Sequence, residues 1–552
     1  MNTDYNKKVN LAIEACQNID KNLSILSADT DKVKSYVYSS TKLPEMRGAS
    51  VILDELNQDK IKQIFLKDYN LIEECLLFNK GGSVLAIVPT SMVFNIKSEI
   101  RKLYPQETHG LATITVVAEQ IELSQLKSDF KAIVKRLSNK LKRAKEEKKA
   151  FPVYEVTPYA RRCGSCGIRP ANYKIKTGQD DTYLCKSCKT KRDKGGSGKT
   201  RFFDDFLCFL KSDLINYERI LHKCKKLNQN IAIISDTDNP QDLSDISGED
   251  RYIGVIYADG NEIGTKIEEL KTPEAFVEFS EKLYDITEKS VFSALAKYIS
   301  PKNTDDGRII LPYEIISIGG DDVFIILPAN IALQVTNQLC KNLRERAKKS
   351  GMPQIENITF SVGVTIAKSN FPIYYIYDLV NQLLKNAKKK AKENQNEFKT
   401  AIDFMVFKSQ GGEISNINDY REQILTDHKE RGSLNQEFTL TFRPYFMDEF
   451  DKLINLVKKM NEEDFPKSKL YAIRESIEHG KENSMLQYLY MMVKSPEKER
   501  KLLQYVLPST LLEDNRCSVP WIKGKEVPSK YVEYKTPIVD ILEIYDFIRE
   551  EP

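Results

Sequence analysis

The run Gly319-Gly320-Asp321-Asp322 stands between two apolar stretches, residues 313–318 and 323–327. Strand, two glycines, two acids, strand is the pattern of a hairpin that sets two carboxylates at a tight turn on a sheet. Glycine allows positive φ there and close approach of a ligand to the backbone. Upstream, the apolar run 252–258 ends in Asp259-Gly260. If these strands pair, Asp259, Asp321 and Asp322 converge, and neighbouring acids repel unless a cation sits among them. Hard oxygen ligands of this kind suit Mg²⁺ or Mn²⁺, and paired metals are a common engine of in-line phosphoryl transfer. The tetrapeptide alone also suits an ordinary turn. Asp259 and the strand context favour a catalytic one.

From residue 252 onward the pattern predicts strand 252–258, helix 273–299, hairpin 308–327, helix 329–350, strand 358–367 and helix 373–394. That is the split βαβ, ferredoxin-like plan, shared by polymerase palms and nucleotide cyclases. Residues 22–118 repeat the rhythm: strand 22–28, a helical stretch 48–65, strands 72–79 and 83–88 around Gly81-Gly82, helix 91–103 and strand 111–118. There Gly81-Gly82-Ser83-Val84 takes the place of Gly319-Gly320-Asp321-Asp322, and the acids are missing. The expectation is an internal duplication with one dead copy. A charged helix over 124–150 joins the two, and periodic apolar spacing after residue 408 predicts a string of helices. The fold class expected is α+β: two ferredoxin-like palm domains (1–123, degenerate, and 251–408), a charged helix, zinc ribbon and helical linker (124–250), and a C-terminal helical bundle (409–552).

Of ten cysteines, four form two knuckles, Cys163-x-x-Cys166 and Cys185-x-x-Cys188. This is the spacing of a tetrahedral Cys₄ zinc site. Gly164 and Gly167 allow the knuckle to wrap, and residues 172–176 with 182–184 suit a short hairpin. Structural stapling is the preferred role, with Arg161, Arg162 and Arg169 near enough to permit contact with RNA or a partner. Gly195-Gly196-Ser197-Gly198-Lys199-Thr200 is no P-loop, because Asp193 stands where the first glycine is required. It reads as a flexible basic linker.

The net charge of +4 excludes a polycation, although 135–149, 186–201 and 385–392 are locally basic and make a nucleic-acid or nucleotide partner plausible. No apolar run has the length of a membrane span, and residues 1–10 lack a signal-peptide core. Scattered cysteines beside one metal-type cluster point to a reducing cytoplasm.

With Arg47-Gly48-Ala49-Ser50, Tyr257-Ala258-Asp259-Gly260, Ser361-Val362-Gly363, Ala387-Lys388 and the zinc knuckles in this order, the chain resembles the large polymerase-like subunit of type III CRISPR effector complexes. The resemblance implies an RNA-activated nucleotidyltransferase that joins ATP 3′ to 5′ into cyclic oligoadenylates and releases pyrophosphate. It implies two catalytic Mg²⁺ or Mn²⁺ at Asp259, Asp321 and Asp322, a structural Zn²⁺, and guide RNA, target RNA and other effector subunits as partners. Gly260, Gly319, Gly320, Ser361 and Lys388 become candidate substrate contacts, although a strand serine is commonly packing and a lysine in a Lys-rich helix commonly solvated. Two departures stand out. No His-Asp dipeptide occurs, so the histidine-aspartate nuclease domain of many members is expected to be absent. Asn261, followed by Glu262, stands where members often carry a further acid, which bears on the acceptor-site chemistry. The expected absence of the nuclease domain keeps open a relative's transfer of AMP to S-adenosylmethionine, and a non-catalytic RNA-binding scaffold is a further alternative, against which the intact acids speak. No fingers or thumb of a template-copying polymerase is recognisable.

Overall fold

A computed structural model describes residues 2–40, 42–148, 159–177, 180–196, 201–393, 398–408, 414–431, 434–505, 517–518, 520–523 and 531–548. The first unit is a four-stranded antiparallel sheet of β1 (Leu23–Asp31), β2 (Leu76–Phe78), β3 (Ser83–Pro89) and β4 (Thr113–Ile121), in the order β2-β3-β1-β4. Helices Leu43–Glu55, Val93–Thr108 and Phe130–Glu146 belong to it. A hairpin, β5 (Tyr173–Thr177) with β6 (Asp180–Leu184), then carries the cysteine knuckles, followed by the helix Lys186–Gly196.

The second unit starts with β7 (Tyr252–Gly260) and the 26-residue helix Pro273–Tyr298. That helix begins where Thr272 accepts a hydrogen bond from the Ala275 N–H and Pro273 presets the first turn. A small ladder, β8 (Lys302–Asn303) with β9 (Ile309–Ile310), precedes β10 (Glu314–Ile318) and β11 (Asp322–Pro328). After helix Ala329–Lys348 come β12 (Phe360–Lys368), helix Ile373–Ala391 and β13 (Ala401–Val406). With β14 (Thr426–Arg431), β15 (Leu434–Thr439) and β16 (Tyr445–Phe446) following in sequence, the second sheet runs β10-β11-β7-β12-β13-β16. Its first four strands repeat the order of the first sheet. Two strands extend it beyond the four-strand plan read from the sequence, β13 pairing parallel to β12 and β16 antiparallel to β13.

Alternation along the central strands decides how the units stack. On β7, Ile253, Val255 and Tyr257 join one apolar core with β1, β3 and β4, together with Phe324 and Ile326 of β11. Ile256 and Ala258, with Val323 and Ile325, face a second core shared with the C-terminal segments. Successive strand residues point to opposite faces, so the second sheet is buried on both sides and the first unit lies directly on one of them.

The C-terminal segment corrects the expectation of a purely helical bundle. Helices Met447–Glu462, Lys467–Glu478 and Lys481–Lys494 overlap the stretches 447–460, 471–479 and 484–493 in which apolar spacing predicts helix. Beside them stands a five-stranded sheet, β14-β15-β19-β18-β17, completed by β17 (Cys517–Ser518), β18 (Trp521–Lys523) and β19 (Tyr531–Lys535). Strand β14, Thr-Asp-His-Lys-Glu-Arg, has no apolar alternation to announce it; it pairs with the next strand, β15, and the other three strands of the sheet come from residues 517–535.

The Gly195–Thr200 reading also changes. Gly195 and Gly196 end a helix, while 197–200 lie outside the described residues. Helix Lys186–Gly196 crosses helix Leu43–Glu55 so closely that a Cβ on Gly48 would lie 1.8 Å from the Lys191 carbonyl oxygen, and one on Gly195 1.8 Å from that of Pro44. These glycines serve helix packing.

Candidate active site

Register brings the acids together. On the sheet Asp322, the first residue of β11, pairs with Asp259 of β7, and Ser361 of β12 pairs with Asp259 from the other side. Asp321 precedes Asp322 in the turn, and its carbonyl oxygen accepts the Gly260 N–H at 2.8 Å. Gly320 supplies the left-handed corner, φ 95°, and its carbonyl accepts from the Thr287 hydroxyl. The fixed backbone therefore holds three carboxylates at one end of two central strands.

Their charges are only partly compensated. Lys388, from helix Ile373–Ala391, pairs with Asp259. Lys34, from the short helix Val33–Val37 of the first unit, lies 3.3 Å from Asp322. Ser317 donates to Asp322 at 3.3 Å and Tyr257 at 3.4 Å. Burial, with Asp259 and Asp322 adding like charge, pushes the Asp321 carboxyl up to about 7, against the field of Lys388. Burial also raises Asp322, opposed by Lys34 and reinforced by Asp259. The excess of negative charge is of the kind a divalent cation held with substrate phosphates would offset, although the ligand oxygens of the three acids do not all lie within 4.8 Å of one another.

Asp259, Asp321, Asp322 and Gly319 line a cavity of about 460 Å³ whose other wall belongs to the first unit: Lys34, Tyr38, Ser50, Asp54, Asn57, Gly81 and Gly82. The two glycine turns meet across it, and a Cβ on Gly81 would come within 2.5 Å of the Gly319 carbonyl oxygen. Gly260 is packed behind, where a Cβ would meet Ile263 at 2.7 Å and Asp321 at 3.0 Å. Ser361 is not brought to the cavity: it is fully buried and donates its hydroxyl to Asn261 at 2.8 Å. Asn261 in turn donates to the Thr359 hydroxyl at 3.0 Å, so the amide standing at the further-acid position is used in packing. Lys34 and Tyr38 escaped sequence reasoning. One lysine among 83 basic residues carries no local signal, and only the stacking of the units sets it against Asp322.

The first unit keeps more of the site than its sequence suggests. Asp29 of β1 pairs with Ser83, the first residue of β3, as Asp259 pairs with Asp322. The Gly82 carbonyl accepts the Thr30 N–H at 2.9 Å, as the Asp321 carbonyl accepts that of Gly260. Lys145, on the helix after β4, pairs with Asp29 as Lys388 pairs with Asp259. The equivalence is thus Lys80-Gly81-Gly82-Ser83 for Gly319-Gly320-Asp321-Asp322, one residue away from the alignment of glycine pairs. The two turn acids are indeed missing, replaced by Gly82 and Ser83, but the counterpart of Asp259 survives as Asp29, on a β1 that runs to Asp31 rather than ending at residue 28.

Away from the cavity, the sulfurs of Cys163, Cys166, Cys185 and Cys188 all lie within 4.8 Å of one another, the one such cluster of cysteine, histidine or acid groups among the described residues. A tetrahedral zinc with Zn–S of about 2.3 Å separates its sulfurs by about 3.8 Å, and Cys166 and Cys185 are 4.0 Å apart. The four residues fit zinc. Among the described residues no helix is long and apolar enough to cross a membrane.

Residues 252–398, which contain all three acids and Lys388, match the family described as Cas10/Cmr2, second palm domain. None of the curated proteins matches the chain by sequence. Among solved structures, a chain of the Csm1-Csm4 cassette in complex with cA3 is 13% identical, with 96% of this chain and 69% of that one covered and a TM-score of 0.51. The apo Csm1-Csm4 cassette gives 14%, 96%, 70% and 0.50. For the cassette in complex with AMPPNP the values are 15%, 70%, 55% and 0.44, so this chain spans about half the length of that relative. The chain shares the fold of the cassette chains, and its residues 252–398 are a second palm domain of the Cas10/Cmr2 kind.

Proposed function

We propose that this protein is the nucleotidyltransferase subunit of a type III CRISPR effector complex, which joins ATP into cyclic oligoadenylates when target RNA is bound. The observation that carries the reading is the carboxylate trio of a Cas10/Cmr2-type palm facing a cavity shared with a second unit of the same strand order. The first unit is read as a degenerate palm. Relatives of the same fold were crystallised with cA3 and with pppApApA, and the cavity volume lies within the range of about 300–1,000 Å³ usual for small-molecule sites.

In the reaction the 3′-hydroxyl of one nucleotide attacks the α-phosphorus of another. The O3′–P bond forms, the bond to the β-phosphate bridge breaks, and pyrophosphate leaves with the hydroxyl proton passing to solvent. Asp259, Asp321 and Asp322 would hold the divalent cations. When bound, these supply positive charge that favours the ionised 3′-oxygen and offsets charge on the phosphates. Gly319 and Gly320 leave the turn without side chains, so a nucleotide can lie against its backbone. Lys388 restrains Asp259 in the absence of substrate and is near enough to meet a phosphate. Catalysis of this type rests on positioning and electrostatics rather than on a protein nucleophile.

The test is mass spectrometry of products after incubating the assembled complex with ATP, Mg²⁺ or Mn²⁺ and matching target RNA, with and without S-adenosylmethionine. Oligoadenylates that vanish with Asp321→Ala/Asp322→Ala are expected. An adenosylmethionine–AMP adduct would redirect the product assignment, and no nucleotide product in any condition would refute enzymatic function.

A further inference from the structure

The acids of the second unit are met by a cation that does not belong to it. Lys34 follows β1 of the first unit, in a helix entered through Lys32 at φ 53°. Its ammonium lies 3.3 Å from the Asp322 carboxylate and 4.2 Å from the centre of the Tyr257 ring. The side chain is 44% exposed and lines the cavity. An ion pair this open is worth at most about 1 kcal/mol, so it is readily exchanged for a better partner.

The segment that carries Lys34 is held from behind. Lys191 is fully buried, donates to the Tyr36 carbonyl and to the Ser39 hydroxyl at 2.9 Å, and lies 3.9 Å from the centre of the Tyr36 ring. The Ser40 hydroxyl is 3.5 Å from the Cys188 sulfur. Tyr38 stacks on Tyr377 at 4.1 Å and meets Phe324 at 4.9 Å. The backbone is therefore anchored to the zinc-knuckle helix on one side and to the second unit on the other, and of the residues it sets along the cavity wall Lys34 is the one whose charge meets the acids. A compact ammonium on a four-carbon stem suits a phosphate as a point charge that can swing between neighbouring oxygens.

We propose that Lys34 is a substrate-phosphate ligand donated by the first unit to the reaction centre of the second. It neutralises Asp322 while the site is empty and turns to the β- or γ-phosphate of the nucleotide once that carboxylate faces a divalent cation. The proposal rests on the reading of the trio as a metal–nucleotide site, and it adds a cation from outside the segment that matches the palm family.

Calorimetric titration of the full chain with Mn²⁺, with ATP plus Mn²⁺, and with adenosine tests it, on wild type, Lys34→Ala, Lys34→Arg and Asp322→Asn. Lys34→Ala is expected to weaken ATP–Mn²⁺ binding about tenfold, the scale of one charge-assisted contact, with Lys34→Arg restoring most of it. Adenosine binding should change less than about twofold, because adenosine has no phosphate to lose. Mn²⁺ alone should bind Lys34→Ala more tightly than wild type, since a cation competing for Asp322 is gone; a lysine that only supports the fold would leave Mn²⁺ binding unchanged or weaker. Unchanged ATP–Mn²⁺ binding in Lys34→Ala overturns the inference and leaves a surface ion pair. Wild type that binds neither Mn²⁺ nor ATP–Mn²⁺, with Asp322→Asn indistinguishable from it, overturns the underlying reading as well.

Discussion

The two sheets of this protein carry one layout and differ at two side chains. Asp29, Gly82, Ser83 and Lys145 stand in the first unit where Asp259, Asp321, Asp322 and Lys388 stand in the second. One carboxylate is matched by one lysine, and Lys148 matches the neighbouring Asp31 in the same way. The first site is therefore electrostatically closed. Three carboxylates in the second exceed the charge of Lys388 and Lys34, and the carboxyl of Asp321 is raised to about 7 by burial and by its two acidic neighbours. The difference between a structural strand end and a candidate metal site lies in whether side chains of the fold itself can balance the charge.

The largest effect that separates the units is on turnover. Asp322→Asn or Asp259→Asn is expected to lower nucleotide product by about a hundredfold or more, the scale of lost electrostatic stabilisation at a reacting phosphate. Asp29→Asn, at the equivalent place in the first unit, is expected to stay within about threefold. Equal losses in an initial-rate assay would break the comparison and make Asp29 part of the machinery.

Much of the second site was legible because its chemistry is local in sequence. Gly319 to Asp322 are contiguous, and Asp259 ends an apolar run, so strand pairing was the one long-range step needed. The four cysteines were legible by spacing in the same way. The cavity's other wall was not, since Lys34, Tyr38, Asp54 and Asn57 owe their positions to the stacking of two units on shared apolar residues such as Tyr257 and Phe324. Asp29 was not legible because the apolar run of β1 ends at residue 28, three residues before the strand does. Strands β14 and β15 went unseen because Thr-Asp-His-Lys-Glu-Arg and Leu-Asn-Gln-Glu-Phe-Thr have no two-sided apolar pattern.

A stability test asks whether the first unit braces the second. Arg47, 2% exposed, donates to Glu314 of β10 as well as to the carbonyls of Gly195 and Pro240. It ties both sheets and the zinc-knuckle helix at one point, five residues before Gly319. Arg47→Ala should cost about 3–5 kcal/mol, because it strands a buried carboxylate. Arg47→Met with Glu314→Gln should recover much of that loss in thermal denaturation. A small loss in the single variant would mean that the units are held together by apolar stacking alone.

Asp321→Asn sharpens the comparison through pH. In the folded chain the Asp321 carboxyl titrates at about 7 against an ordinary 3.8. The folded state thus binds this proton more tightly than the unfolded one. Stability from this group is fully present below pH 4 and is lost as pH rises through 7. Without divalent metal, Asp321→Asn should therefore melt above wild type at pH 8 and level with it at pH 4. The gap should be on the order of 1–3 kcal/mol, discounted for partial exposure. Mn²⁺ should close the gap by stabilising wild type alone. Ser83→Ala in the first unit should show no such dependence.

The smallest effect expected is the most pointed. Ser83→Asp would set a second carboxylate opposite Asp29, the pair that Asp259 and Asp322 form in the second sheet. Like charges directly opposite on a sheet cost roughly 0.2–1 kcal/mol, and Lys145 would absorb part of that. The third carboxylate cannot follow so easily. The place of Asp321 is taken by Gly82 at φ 86°, a conformation costly for any residue with a Cβ, whereas Asp321 does not have positive φ. Two acids beside a lysine should therefore bind Mn²⁺ no tighter than millimolar. Electron paramagnetic resonance titration in an Asp321→Asn/Asp322→Asn background isolates the first unit for this measurement. A tight site there would show that carboxylate number two, rather than number three, divides the two halves. A weak one would place the division at a single turn residue, where the backbone of the first unit has room for a glycine and the second has room for an acid.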